Sequence, residues 1–151
     1  MNLKVFKMRP NAKLPTRAHD TDAGIDLYYC SPEGRVSKIP IHPGETVLLS
    51  TGIKAQIPRD YMLEIKNKSS IAARKQLLVG ACVVDSGYDG EIFVNLHNVG
   101  KQTHWFSHGD KMAQGVLIPV NLCDVIEVSD PDELNKDSAR GTGALGSTGS
   151  K

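Results

Sequence analysis

The chain lacks most of the features that would assign it to a class at a glance. Its three cysteines, Cys30, Cys82 and Cys123, are odd in number, far apart and without a C-x-x-C. That argues against a disulfide framework or a zinc site and suits reduced thiols in a reducing compartment. No apolar run approaches the roughly 20 residues needed to span a bilayer, and Met1-Asn2-Leu3-Lys4 opens no signal peptide. The expectation is a chain without a membrane segment. Charge of one sign is missing too. Eighteen basic and 17 acidic residues leave a net charge of +1, so nothing global suggests binding to nucleic acid or a membrane surface, and any phosphate site must be local. His104 and His108 have i, i+4 spacing, but Trp105-Phe106-Ser107 and Gly109-Asp110 read as a strand end and a turn, which argues against a zinc pair.

What is present is a β pattern. With 151 residues, 40% apolar and 23% charged, the chain is expected to form one domain with an ordinary core. Gly, Pro, Asn and Asp interrupt it at intervals of about 8–12 residues, the spacing of a sandwich or barrel. Between them lie β-rich runs: Glu45–Leu49, Tyr61–Ile65, Ile92–Leu96 and Gly115–Pro119. Ile92, Val94 and Leu96 alternate with polar or aromatic neighbours, as in a half-buried strand. Pro40, Pro43, Pro58 and Pro119 sit at run boundaries. Only Ser69–Leu78 looks helical, with hydroxyls for an N-cap and Arg74-Lys75 in its later turns. A short turn is possible at Pro131–Leu134. No internal repeat is found. The chain divides into a body, residues 1–128, and a polar, glycine-rich arm, residues 129–151.

Five segments could carry chemistry. Asp22-Ala23-Gly24-Ile25-Asp26 sets two carboxylates four residues apart, able to hold Mg²⁺ through water or simply to solvate a turn. Asn67-Lys68-Ser69-Ser70 opens the helix and offers an anion a lysine, two hydroxyls and free N–H groups, although capping explains the serines equally well. Val83-Val84-Asp85-Ser86-Gly87-Tyr88 reads as a hairpin, in which partial burial of Asp85 would raise its pKa toward that of a base and Tyr88 could stack on a sugar. Asp85 organising the turn is the simpler reading of that segment. Gly109–Gln114 is a turn entering a strand, with Asp110 bracing it and Gln114 facing outward. Last, Arg140–Gly149 has glycines, hydroxyls and an arginine suited to wrapping a polyphosphate, or to an unstructured tail. Gly141, Gly143 and Gly146 spell G-x-G-x-x-G, but the βαβ unit that motif requires is not there.

Taken in order, these segments resemble the five motifs of the trimeric dUTP diphosphatases (dUTPases) across nearly the whole chain. The resemblance implies an all-β, jelly-roll β-barrel with one short helix and a flexible glycine-rich C-terminal arm. It implies a homotrimer whose active sites are each built from all three subunits, with the arm of one closing over a site on another. It implies Mg²⁺ as cofactor and dUTP as substrate, hydrolysed to dUMP and pyrophosphate in the cytoplasm, or the host's cytoplasm for a viral chain. Asp85 would deprotonate the attacking water, and Asp26 would hold Mg²⁺ through water. Lys68, Ser69, Ser70 and Gln114 would bind phosphate, Tyr88 would pack under deoxyribose, and main chain near Val83 and Phe93 would read uracil. Arg140, Ser147 and Thr148 would clamp the outer phosphates, Leu145 would make an apolar contact with uracil, and Gly146 would also bind substrate.

Four departures from the family pattern stand out. Lys68 replaces an arginine, so a bidentate phosphate contact becomes a point charge. Asn67 replaces a proline. Asp89 replaces Arg or Gln, with Gly87 in place of Asp. Ala144-Leu145 stands where Gly-Phe is usual, exchanging a stacked ring for an apolar contact. Two other readings compete. A dCTP deaminase of the same fold would lack the arm and would need a glutamate base where Asp85 stands. A regulatory protein on this fold, binding a protein partner, has no motif by which to recognise it.

Overall fold

The computed structural model describes residues 1–32, 38–134 and 141. They fall in two units, Met1–Asn121 and Leu122–Lys151. The first carries strands β1 (Lys4–Lys7), β2 (Ile25–Tyr28), β3 (Ile39–Ile41), β4 (Thr46–Ser50), β5 (Ile53–Gln56) and β6 (Tyr61–Lys66). After one helix, α1 (Ser69–Lys75), come β7 (Leu77–Val79), β8 (Val83–Val84), β9 (Phe93–Asn98), β10 (His104–Phe106) and β11 (Lys111–Pro119). One sheet has the order β2-β11-β6-β8 and a second the order β4-β9-β7, with two-stranded ribbons β1-β5 and β3-β10 beside them. All the pairings are antiparallel.

The expected strands form, each within a few residues of its expected bounds. Along β9, Val94 and Leu96 are fully buried while Phe93 is exposed, as the two-residue period requires. Leu63 and Ile65 of β6 are buried the same way and join Leu27, Leu49, Phe106 and Met112 in one core. Each such side chain contributes about 1.5–3 kcal/mol by leaving water. Pro40 differs from expectation, lying in the middle of β3 opposite Trp105. It is tolerated because, among the described residues, β3 has a strand on one side only.

The helix is shorter than its sequence suggests. It ends at Lys75 because Gln76 turns left-handed, φ 54°, with its N–H bonded back to Ala72 and Ile71, and Leu77-Leu78 then enter β7. Its N-cap is Lys68, without a side-chain cap, so Ser69 and Ser70 are first-turn residues and not the expected caps. In the second unit, Pro131–Glu133 form a 3-10 turn capped by the Asp130 carboxylate.

The largest departure is at residues 83–93. The expected hairpin is absent: β8 pairs with β6 and β9 pairs with β4 and β7. Residues 85–92 therefore carry the chain from one sheet to the other. They meet the β4–β5 turn at Gly52, which has φ +69° and no room for a Cβ against Cys30 and Ala12. Gly44 has φ +79° but faces open space. Replacing Gly44 with Ala is expected to cost about 1–2 kcal/mol of backbone strain. Gly52→Ala adds overpacking of about 1–3 kcal/mol, a difference readable in urea midpoints.

Candidate active site

Asp26 is the centre of one polar cluster. It lies on β2, 5% exposed, directly opposite Gln114 of β11. Its Oδ1 accepts from Lys68 Nζ at 2.8 Å and its Oδ2 from Lys111 Nζ at 2.6 Å. Burial pushes this carboxyl up, but the bonds from Lys111 and Lys68 outweigh burial and hold it below its ordinary value. The irregularity in β11 between Lys111 and Ala113 interrupts the β2–β11 register beside this cluster. Gln114 Nε2 donates to the Asn67 carbonyl at 3.0 Å, and its carboxamide fills the space a Cβ would take at Gly24. Ser69 and Ser70 are exposed next to Lys68. Two expected phosphate residues, Lys68 and Gln114, thus meet at the expected metal aspartate, while Ser69 and Ser70 follow Lys68 along the chain. The two carboxylates of the first segment do not act together: Asp22 instead binds the backbone N–H and ring of His19.

With one carboxylate and two ammonium groups, the cluster has a local charge of +1, which suits an anion better than a bare cation. Among the described residues no three His, Cys, Asp or Glu side chains group as metal ligands. Each Asp26 oxygen still has a lone pair for water. The residues therefore fit a hydrated cation arriving with a polyphosphate, held at one remove.

Four other expected residues line a cavity of about 210 Å³ where the chain changes sheets. Its walls include Val83, Asp85, Tyr88 and Phe93, with Leu48, Ile65, Cys82 and Asn95. The volume is below the roughly 300 Å³ at which pockets for drug-sized ligands begin. Tyr88 donates its hydroxyl to the Glu91 carbonyl at 2.8 Å, and its N–H to the Asp85 carbonyl at 3.1 Å. Asp85 is exposed in the single chain, so the partial burial expected of it is not present there. Asp89 is turned away and paired with Lys54 Nζ on β5 at 2.8 Å, which absorbs the acidic departure in this segment. Arg140, Leu145, Gly146, Ser147 and Thr148 lie outside the described residues.

Sequence reasoning missed Lys111 and the Glu91 network. Glu91 accepts from the Arg9 guanidinium and the Ser50 hydroxyl, and from the Gly52 N–H at 2.7 Å. Burial raises the Glu91 carboxyl and the bonds from Ser50, Arg9 and Gly52 more than reverse it, leaving it below its ordinary value. Lys111 could have been found as the basic residue between Asp110 and Gln114. No local signal links Arg9 to Glu91.

The fold is jelly-roll-like, with two main antiparallel sheets and one short helix. A solved structure of the Staphylococcus bacteriophage 80alpha dUTPase with dUpNHpp superposes with a TM-score of 0.80, covering 98% of both chains at 23% identity. A dUTPase from phage phi11 of S. aureus, described for its coordination of a structural Mg(II) ion, gives 0.76 over 86% of this chain and 98% of its own, at 22% identity. Sequence similarity goes further. The chain is 40% identical over 152 residues to the deoxyuridine 5'-triphosphate nucleotidohydrolase of Alkaliphilus metalliredigens, covering 99% of each. It is 39% identical to that of Gloeothece citriformis over 99% of this chain and 97% of the relative. The dUTPase family model matches residues 10–149. The chain belongs to the dUTPase family.

The Asp26 cluster makes stability depend on pH with a definite sign. A carboxyl whose folded pKa lies below its ordinary 3.8 contributes fully above that value and loses its contribution as pH falls through the folded pKa. Asp26→Asn should cost about 2 kcal/mol at pH 7, under the range for fully buried pairs because both lysines reach solvent. In thermal melts the gap between wild type and variant should close below pH 3.8.

Proposed function

We propose that this chain hydrolyses dUTP to dUMP and pyrophosphate, with Mg²⁺, as a homotrimer. The observation that carries the reading is the cavity that sets Asp85 and Tyr88 at an apolar slot between the sheets, in a chain of this family. The slot takes the deoxyuridine. Main chain at Val83 and Phe93 reads uracil, and the Tyr88 ring lies beside deoxyribose and leaves no room for a 2′-hydroxyl. Asp85 holds and deprotonates a water for in-line attack on the α-phosphorus. Lys68, Ser69, Ser70 and Gln114 hold the phosphates, with Lys111 adding a further positive charge. Asp26 holds Mg²⁺ through water; the bound ion supplies neutralisation of phosphate charge. Positioning and charge stabilisation supply most of what phosphoryl attack requires.

Two observations support sharing of the site between copies. Val84 pairs with Leu63, so Asp85 leaves the sheet near Met62, while Lys66 is four residues further along β6, about 13 Å at the strand rise. Lys68 lies beyond that, so one chain holds Asp85 and the phosphate ligands toward opposite ends of a strand. The cavity is also rimmed by exposed apolar surface, with Leu48 at 59%, Val83 at 55%, Tyr88 at 46% and Phe93 at 38%. A second copy supplying the phosphate cluster would cover that rim. The arm, residues 129–151, closes over the site of another subunit through Arg140, Ser147 and Thr148, with Leu145 and Gly146 near the base. The protein works in the cytoplasm, or in a host's cytoplasm for a viral chain.

Pyrophosphate release should be seen with dUTP and Mg²⁺, be abolished by EDTA, and be absent with dCTP, dTTP and UTP. Asp85→Asn should keep the trimer and nucleotide binding but lower turnover by about 10²–10⁴-fold. Near-normal turnover would remove Asp85 from its role. Silence of the wild type on dUTP, with ammonia released from dCTP, would favour the deaminase reading. Deleting the residues after Ser138 should leave a folded trimer with little activity.

A further inference from the structure

Glu91 does more than its place in the chain suggests. Its carboxylate gathers donors from three separate places: Arg9 just beyond β1, Ser50 at the end of β4, and Gly52 in the β4–β5 turn. The second guanidinium nitrogen of Arg9 reaches the other carboxylate oxygen at 3.4 Å. Arg9 is fixed in turn by Cys30 Sγ at 3.5 Å and by Ser50, and the N–H of Met8 bonds to the Gly52 carbonyl at 2.8 Å. The Glu91 side chain is only 12% exposed, so these bonds are shielded from water. On its main-chain side the same residue accepts the Tyr88 hydroxyl. The Tyr88 ring lies over Gly90, where a Cβ would strike the phenol, and the Tyr88 N–H holds the Asp85 carbonyl. A single anchored residue therefore sets the height of the phenol and, through it, the turn that bears Asp85. Tyr88, Asp85 and Glu91 all border the cavity.

We propose that Glu91, held by Arg9, Ser50 and Gly52, is a positioning residue that fixes Tyr88 and so sets the discrimination between deoxyribose and ribose. This rests on the reading of the cavity as a deoxynucleoside site. A rigid phenol rejects a 2′-hydroxyl by sterics; a phenol whose hydrogen-bond acceptor wanders yields to it. Glu91 and Arg9 thereby act on selectivity through Tyr88.

The test uses the full-length protein with Glu91→Ala, Glu91→Gln and Arg9→Lys, and with Leu96→Val as a core variant remote from this network. Two quantities are read: the ratio of kcat/KM for dUTP to that for UTP, and amide deuterium exchange of residues 85–91 without nucleotide. Glu91→Gln keeps an acceptor for Gly52 and Ser50 but loses the charge, and Arg9→Lys loses the two-pronged contact. Both are expected to fold and to lower the ratio at least threefold, with Glu91→Ala lowering it tenfold or more. Exchange at 85–91 should quicken in the same order, while Leu96→Val changes neither the ratio nor local exchange. If the Glu91 and Arg9 variants lose melting temperature with the ratio unchanged, their role is structural only and the proposal is overturned. If Glu91→Ala does not fold, the other two variants decide. Wild-type protein that does not prefer dUTP over UTP would overturn the cavity reading and the selectivity clause with it. Faster exchange in the variants would then still uphold the anchoring of the loop.

Discussion

The Glu91 carboxylate is the point on which the architecture turns. A chain that leaves one sheet and enters another must cross the gap without a ladder to satisfy its backbone, and residues 85–92 do this between β8 and β9. Arg9, Ser50 and Gly52 supply a fixed end for that crossing. A charge pair this shielded adds little net stability over an apolar replacement, since desolvation offsets most of the attraction. What it contributes is a single geometry, because a carboxylate with three directional donors has one good position and an apolar side chain has many. Gly52 belongs to the same device: its left-handed turn aims the N–H at the carboxylate, and its missing Cβ lets Cys30 and Ala12 close in beneath.

The second charged centre works on the opposite principle. Around Asp26 two lysines share one carboxylate, so positive charge is in excess and both ammonium groups keep solvent-reaching stems. The carboxylate holds two like charges side by side that would otherwise repel. A polyphosphate bound as proposed would compete for them with more negative charge than one aspartate carries. Lysine suits this exchange: its ammonium is a point charge on a flexible chain and transfers between acceptors without the planar matching that arginine demands. The lysine at position 68, a departure from the family's arginine, is thus consistent with a cluster that is paired before its ligand arrives.

Local periodicity made the strands legible. Ile92, Val94 and Leu96 announced β9 because burial on one face leaves a two-residue imprint, and the glycine and proline punctuation announced the turns. The positions of Asp26, Lys68 and Gln114 could be matched by motif, and the structure brings them together. Other features leave no local imprint. The segment after Val84 has the composition of a hairpin tip, and composition is the same whether the flanking strands pair with each other or with β6 and β4. The helix looked longer because Gln76, Leu77 and Leu78 are all good helix formers; only the left-handed turn at Gln76, braced by Ala72 and Ile71, ends it. Arg9 and Glu91 are 82 residues apart, and a pair so distant is invisible to any window. The exposure of Asp85 was illegible for another reason: an apolar pair before it says that Val84 is buried, not that its neighbour is.

β6 connects these centres. One end of the strand leads to Lys68 and, across β11, to Asp26; the other stands beside Asp85. A strand is nearly inextensible, so it fixes the separation of the two clusters and rules out adjusting one toward the other within a copy. A proposed site completed by a second copy removes that difficulty without moving either cluster. It also accounts for the exposed Leu48 and Phe93 at the cavity rim, since apolar side chains left uncovered on a rigid sheet are costly in water and useful at a contact. In the proposed assembly, the rigidity that keeps Asp85 and the phosphate cluster apart in one chain is what makes their meeting between chains reproducible. Selectivity would then depend on how firmly each copy holds its own crossing loop, and activity on how the copies meet.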